Sequence, residues 1–130
     1  MGLDVTFYRC SKSDPSIKDE IGYFRKVDFI LRYFMISHDD NDRDIIICKE
    51  LFEQFDKDLT EEIGSHEFTF DEIHSLPNNL DLAPYEYFFN GIGVCDSWYW
   101  QDLCCVGMFV YNTLESFNWD SDFLILNCDW

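Results

Sequence analysis

Six cysteines (Cys10, Cys48, Cys95, Cys104, Cys105 and Cys128) and three histidines (His38, His66 and His74) are the side chains best suited to hold a transition metal or supply a nucleophile. A zinc site wants such ligands a few residues apart, as in Cys-x-x-Cys or His-Glu-x-x-His, so that one turn of chain offers two donors to one ion. Neither spacing occurs. Cys104 and Cys105 are adjacent and would point to different faces of a helix. A thiol nucleophile needs a base beside it, and no spacing along the chain provides one. The acidic run Asp39–Asp44 invites a calcium loop, with Asp39, Asn41 and Glu50 at positions 1, 3 and 12 of an EF-hand register. Position 5 is then Arg43, a cation where an oxygen ligand belongs, and position 6 is Asp44 where the sharp turn requires glycine. Gly91-Ile92-Gly93 lacks the third glycine of a dinucleotide fingerprint, and neither a Walker loop nor Gly-x-Ser-x-Gly is present. The expectation is a protein that is not an enzyme, with no metal and no cofactor.

One constellation departs from the rest. Glu20-Ile21-Gly22-Tyr23-Phe24-Arg25-Lys26 gathers two of only nine basic residues beside aromatic rings. Arg25 suits an ion pair with Asp96 or Asp102, or a bidentate contact to an anion. In the second case Tyr23, Arg25, Lys26, Phe89 and Asp96 would bind a nucleotide or another small anion.

Charge is the strongest bulk signal, with 26 acids against 9 bases and a formal net charge of −17. Residues 1–57 hold all 9 bases and 12 acids, a net of −3; residues 58–130 hold no base and 14 acids, a net of −14. Burying a carboxylate unpaired costs several kcal/mol, so these acids are expected to face water, a cation or basic groups from elsewhere. A field of this sign repels phosphate backbones and anionic membranes and speeds encounter with basic surfaces. The hydrophobic fraction of 47% excludes the composition of a disordered chain. Aromatic residues make up 24 of the 130 positions, enough for some to serve as interface anchors.

The positions of these residues depend on the elements that carry them. Leu3 to Tyr8 alternates apolar and polar and reads as a strand. Ser13-Asp14-Pro15 resembles a helix start, and Ile17, Ile21, Phe24, Leu31 and Met35 follow at helical spacing, so a helix is expected over about 15–36. Ile45 to Cys48 reads as a short strand, Lys49 to Lys57 as a short helix with Leu51, Phe52 and Phe55 on one side, and Glu61 to Ser65 as a turn. A helix is expected over about 97–117, apolar on most faces between Leu103 and Leu114, and Phe123 to Leu126 reads as a closing strand. The longest uncharged run, Leu103–Leu114, is too short to span a bilayer. These elements predict one acidic α+β domain over residues 1–130: two main helices and a shorter one on a small, mostly antiparallel sheet.

Several short motifs also resemble a family of small phage and prophage proteins that begin Met-Gly-Leu-Asp-Met-Tyr-Leu. They are Met1-Gly2-Leu3-Asp4, the segment Glu20 to Lys26, Phe88-Phe89-Asn90-Gly91 leading through Asp96-Ser97-Trp98-Tyr99 to Asp102-Leu103, and the terminal aspartate-tryptophan. The chain departs from the pattern at Asn90 to Cys95, where the family carries a third Phe, Gly-Ser-Thr and a Tyr. The resemblance implies a phage or mobile-element origin.

Acidity, surplus aromatics and this resemblance together lead to an anti-CRISPR-like inhibitor. It would block the nucleic-acid-binding surface of a basic host defence effector by charge mimicry in the host bacterial cytoplasm, without binding nucleic acid or membrane itself. The expected contacts are the acids Asp71, Glu72, Asp81, Glu86, Asp120 and Asp122, with Tyr85, Tyr87, Trp119 and Trp130 as aromatic anchors. Without a leader-like start, the cysteines are expected to be mostly buried free thiols of a reducing compartment.

Overall fold

The computed structural model describes residues 3–34, 36, 44–65 and 97–129. Strand β1 (Asp4–Ser11) is followed by β2 (Lys18–Arg25), helix α1 (Asp28–Tyr33) and β3 (Asp44–Ile47). Helices α2 (Lys49–Ser65) and α3 (Ser97–Ser116) precede the last strand, β4 (Asp122–Asp129). The four strands form one antiparallel sheet in the order β2-β1-β4-β3, and the fold class is α+β.

The helix expected over about 15–36 is instead a hairpin arm followed by a short helix. Asp14-Pro15 starts a turn: the Ile17 amide donates to the Asp14 carbonyl at 3.1 Å, and the Ser16 amide to Asp14 Oδ1 at 3.3 Å. An aspartate that accepts an amide two residues on, followed by proline, opens a β-turn as readily as it caps a helix. The apolar spacing misleads for a related reason. Phe7 pairs with Gly22 but Tyr8 with Glu20, so Ile21 is one extra residue in β2, a β-bulge. A bulge breaks the two-residue alternation of a strand, so the three-residue spacing of Ile21 and Phe24, which suggests a helix, is compatible with a strand here. Lys26, in the left-handed region at φ 61°, then turns the chain toward α1 while its amide donates to Leu3 at 2.7 Å.

By contact, the chain divides into two units, residues 1–52 with 116–130, and residues 53–115. In the first, strand alternation sorts side chains between two sheet faces. Register places Val5, Phe7, Leu124, Leu126, Cys128 and Ile47 on one face, and all are buried. Phe7 meets Phe52 of α2 there, ring centroids 6.1 Å apart, and Phe52 lies 6.2 Å from Trp119.

In the second unit, Phe55, Leu59 and Ile63 recur at helical spacing and are buried along α2. That stripe runs past Lys57 with no breaker, so the expected turn at 61–65 is helix. On α3, Leu103, Val106, Val110 and Thr113 form the buried face, while Tyr111 is exposed. A Cβ on Gly107 would lie 3.3 Å from Ile63 Cδ1, so glycine permits the close approach of α2 and α3 there.

Candidate functional site

The second face of the sheet carries six charged side chains among its aromatic and aliphatic ones. Cross-strand neighbours point to the same side, so the register lays out four rows across it. Arg25, Asp4 and Asp129 make the first; Tyr23, Thr6, Asn127 and Asp44 the second; Glu20, Tyr8, Ile125 and Ile46 the third; Lys18, Cys10 and Phe123 the last. Ile46 is 67% exposed and Tyr23 51%. Four acids share this face with two bases.

Lys18 and Asp44 sit on opposite edge strands yet meet: Lys18 Nζ lies 3.0 Å from Asp44 Oδ2 and 5.3 Å from the centre of the Tyr8 ring. The lysine therefore reaches over the middle of the face as a strut. Its side chain and that of Asp44 are 41% and 40% exposed, so water lies over the strut. Asn127 Nδ2 donates to Asp44 Oδ1 at 2.6 Å. That bond, and secondarily Lys18, holds the Asp44 carboxyl below its usual range against the opposing effect of burial. The Lys18 ammonium is raised in turn, chiefly by its bond to Asp44. At the other end Tyr23 Oη donates to Asp4 Oδ1 at 2.5 Å, which pushes the phenol up.

The residues expected to bind an anion are thus partly placed. Tyr23 and Arg25 are two apart on β2 and share the outer face, while the exposed Lys26 lies in the turn after it. Asp4 stands opposite Arg25 and holds the Tyr23 hydroxyl, so a carboxylate already occupies the place an anion would take. Asp102 is half-buried on α3. Phe89 and Asp96 lie outside the described residues.

Of the expected partner contacts, Asp71, Glu72, Asp81, Tyr85, Glu86, Tyr87 and Trp130 also lie outside them. Asp120 is exposed and Asp122 half-buried, in and after the turn from α3 to β4. Trp119 is no free-standing anchor: its ring is 4.4 Å from Phe117, and its indole N–H is buried without a hydrogen-bond partner. Its carbonyl accepts from Lys12 Nζ at 2.7 Å.

Two acids of the base-free half are withdrawn from water, the first of the three surroundings expected for them. Asp58 is 3% exposed and Glu62 1%. Four residues apart, they share the inner flank of α2, where Gln54 Nε2 donates to Asp58 Oδ1 at 2.8 Å. Sequence spacing gives the shared flank but not its burial, which depends on what lies against the helix. Asp56, half-buried, has its carboxyl raised by burial.

Among the described residues no group of three or more His, Cys, Asp or Glu could hold a metal, and no helix is long and apolar enough to cross a membrane. Asp39, Asn41, Arg43, the three histidines and Cys95 are outside this description. Cys10, Cys48, Cys104, Cys105 and Cys128 are free thiols. Cys10, Cys104 and Cys128 are buried and Cys48 is exposed. Burial raises the thiols of Cys10 and Cys105 and pushes Cys128 up to about 12, which leaves little thiolate at neutral pH.

Comparison of the chain with protein-family models, curated proteins and solved structures gave no match.

Proposed function

We propose that the chain is an acidic inhibitory binding protein whose partner presents a basic, nucleic-acid-binding surface. One observation carries this reading: the chain has 17 more acids than bases, and 14 acids fall in a stretch with no base at all. The ion pairs Arg9–Asp19 and Lys18–Asp44 point the same way, since each spends an early cation on an early acid. Such a surplus is costly to a compact fold through self-repulsion and becomes favourable when a cationic partner displaces the counterions.

The family resemblance extends the proposal to a phage-encoded, anti-CRISPR-like inhibitor acting in the host bacterial cytoplasm, without catalysis. The anion-binding alternative fits less well, because Asp4 would repel an anion at Tyr23 and Arg25. The test is binding to purified basic nucleic-acid-binding defence effectors at 50 and 500 mM salt, with DNA or guide RNA as competitor. The proposal expects affinity to fall steeply with salt and nucleic acid to compete; binding indifferent to both would contradict it.

A further inference from the structure

The face that closes over Phe52 is dry, whereas the outer face combines exposed apolar side chains with a net acidic charge. Its third row runs from the exposed Ile46 through the buried Ile125 to the half-buried Tyr8 and ends on Glu20 at the edge. Asp44 lies two residues before Ile46 on β3 and so on the same side. Asp4 and Asp129 are direct cross-strand neighbours, an arrangement of like charges that weakens a sheet. Ile46 is 67% exposed beside the Asp44 carboxylate, so an apolar and an acidic group are offered together there.

The protein already shows what this face accepts. Lys18 lies over the Tyr8 ring and ends on Asp44, itself held by Asn127. Aromatic face, carboxylate and amide together form a seat for a cationic side chain with an apolar stem. The lysine in the seat is exposed, and exposed pairs of this kind contribute little, so a better cation can displace it. A guanidinium could bond both carboxylate oxygens while its plane lies on the ring, which an ammonium cannot do.

Resting on the acidic-binder reading, we infer that the outer sheet face is where the basic partner docks, with a partner arginine or lysine taking the place of Lys18 between Tyr8 and Asp44 and the partner's neighbouring apolar surface covering Ile46. Charge decides the occupant: Asp4, Glu20, Asp44 and Asp129 outnumber Lys18 and Arg25, and a second copy at −17 would be repelled.

The test uses the ¹⁵N-labelled full chain titrated with a blocked arginyl-arginine dipeptide at 150 mM salt. The inference expects the largest shifts at Tyr8, Asp44, Ile46 and Asn127. Lys18→Met keeps the stem but empties the seat of charge, and should tighten binding about 3- to 10-fold. Asp44→Asn should weaken it about 10-fold, with circular dichroism and thermal melting confirming that both variants fold. Shifts confined to Glu115–Asp122, or a Lys18→Met variant that binds no better, would overturn this face as the docking site and leave the acidic-binder reading standing. Concentration-dependent shifts without peptide would make a second copy the occupant and overturn the inference. If neither the dipeptide nor a basic nucleic-acid-binding protein binds, both readings fall.

Discussion

The two faces of the β-sheet share every strand and differ in almost everything else. On one, Val5, Phe7, Leu124, Leu126 and Cys128 are wholly excluded from water. On the other, Tyr23 and Ile46 lie in water beside Asp4, Glu20 and Asp44. A single alternation thus lets one element hold the unit together and present a charged, ring-bearing surface. The difference teaches that the exposed residues of the outer face are free to answer to binding, because stability is supplied by the inner face and by the buried Thr6, Cys10 and Ile125.

Substitutions that cross between the faces should expose this division. Phe7→Ala removes a fully buried ring that touches Phe24 and Phe52, and is expected to cost about 3–5 kcal/mol in denaturant unfolding. Asp44→Asn, on the other side, should cost about 0.5 kcal/mol, discounted for its exposure. Its pH dependence carries the sign. The folded Asp44 carboxyl is held below its ordinary value of 3.8, so its contribution is fully present above that value and is lost as pH falls through the lower, folded one. The gap between wild type and Asp44→Asn should therefore be constant near neutrality and close in acid. Asp56, raised by burial, acts in the opposite sense: its ionised form disfavours the fold, and its contribution declines as pH rises from 3.8 through its folded value.

Thiol labelling followed by peptide mapping offers a subtler comparison. Cys128 on the inner face, and Cys10 on the outer face between Lys18 and Phe123, are both buried and should react only after unfolding. Cys48, exposed just before α2, should label at once. If Lys18 is what covers Cys10, Lys18→Ala will make Cys10 reactive without changing Cys128.

Much of this arrangement was legible in the sequence, because local pattern and final environment agree for β1, β3, β4 and α3. Alternation in β1, short uninterrupted apolar runs in β3 and β4, and a long apolar helical stretch in α3 survive folding there. The segment 15–36 was not legible, since a turn, a bulge at Ile21 and a short helix happen to reproduce a helical spacing. Tyr23 and Arg25 were singled out by residue type, yet they stand side by side only because β2 is a strand, on which alternate residues share a face. The Lys18–Asp44 strut was out of reach altogether. Its partners are 26 residues apart and come together only through the strand order β2-β1-β4-β3, which no local signal specifies. The burial of Asp58 and Glu62 was hidden for the same reason: composition gives a charge, and only packing gives its surroundings.

The most direct test places one cation on the outer face where it should harm nothing else. Ile46→Lys alters a side chain that is 67% exposed, so unfolding free energy should stay within about 0.5 kcal/mol of wild type. Affinity for the arginyl-arginine dipeptide, measured in the same buffer, should fall by at least about 10-fold, or roughly 1.4 kcal/mol. A variant that keeps both its stability and its affinity would contradict the assignment of this face to a cationic partner.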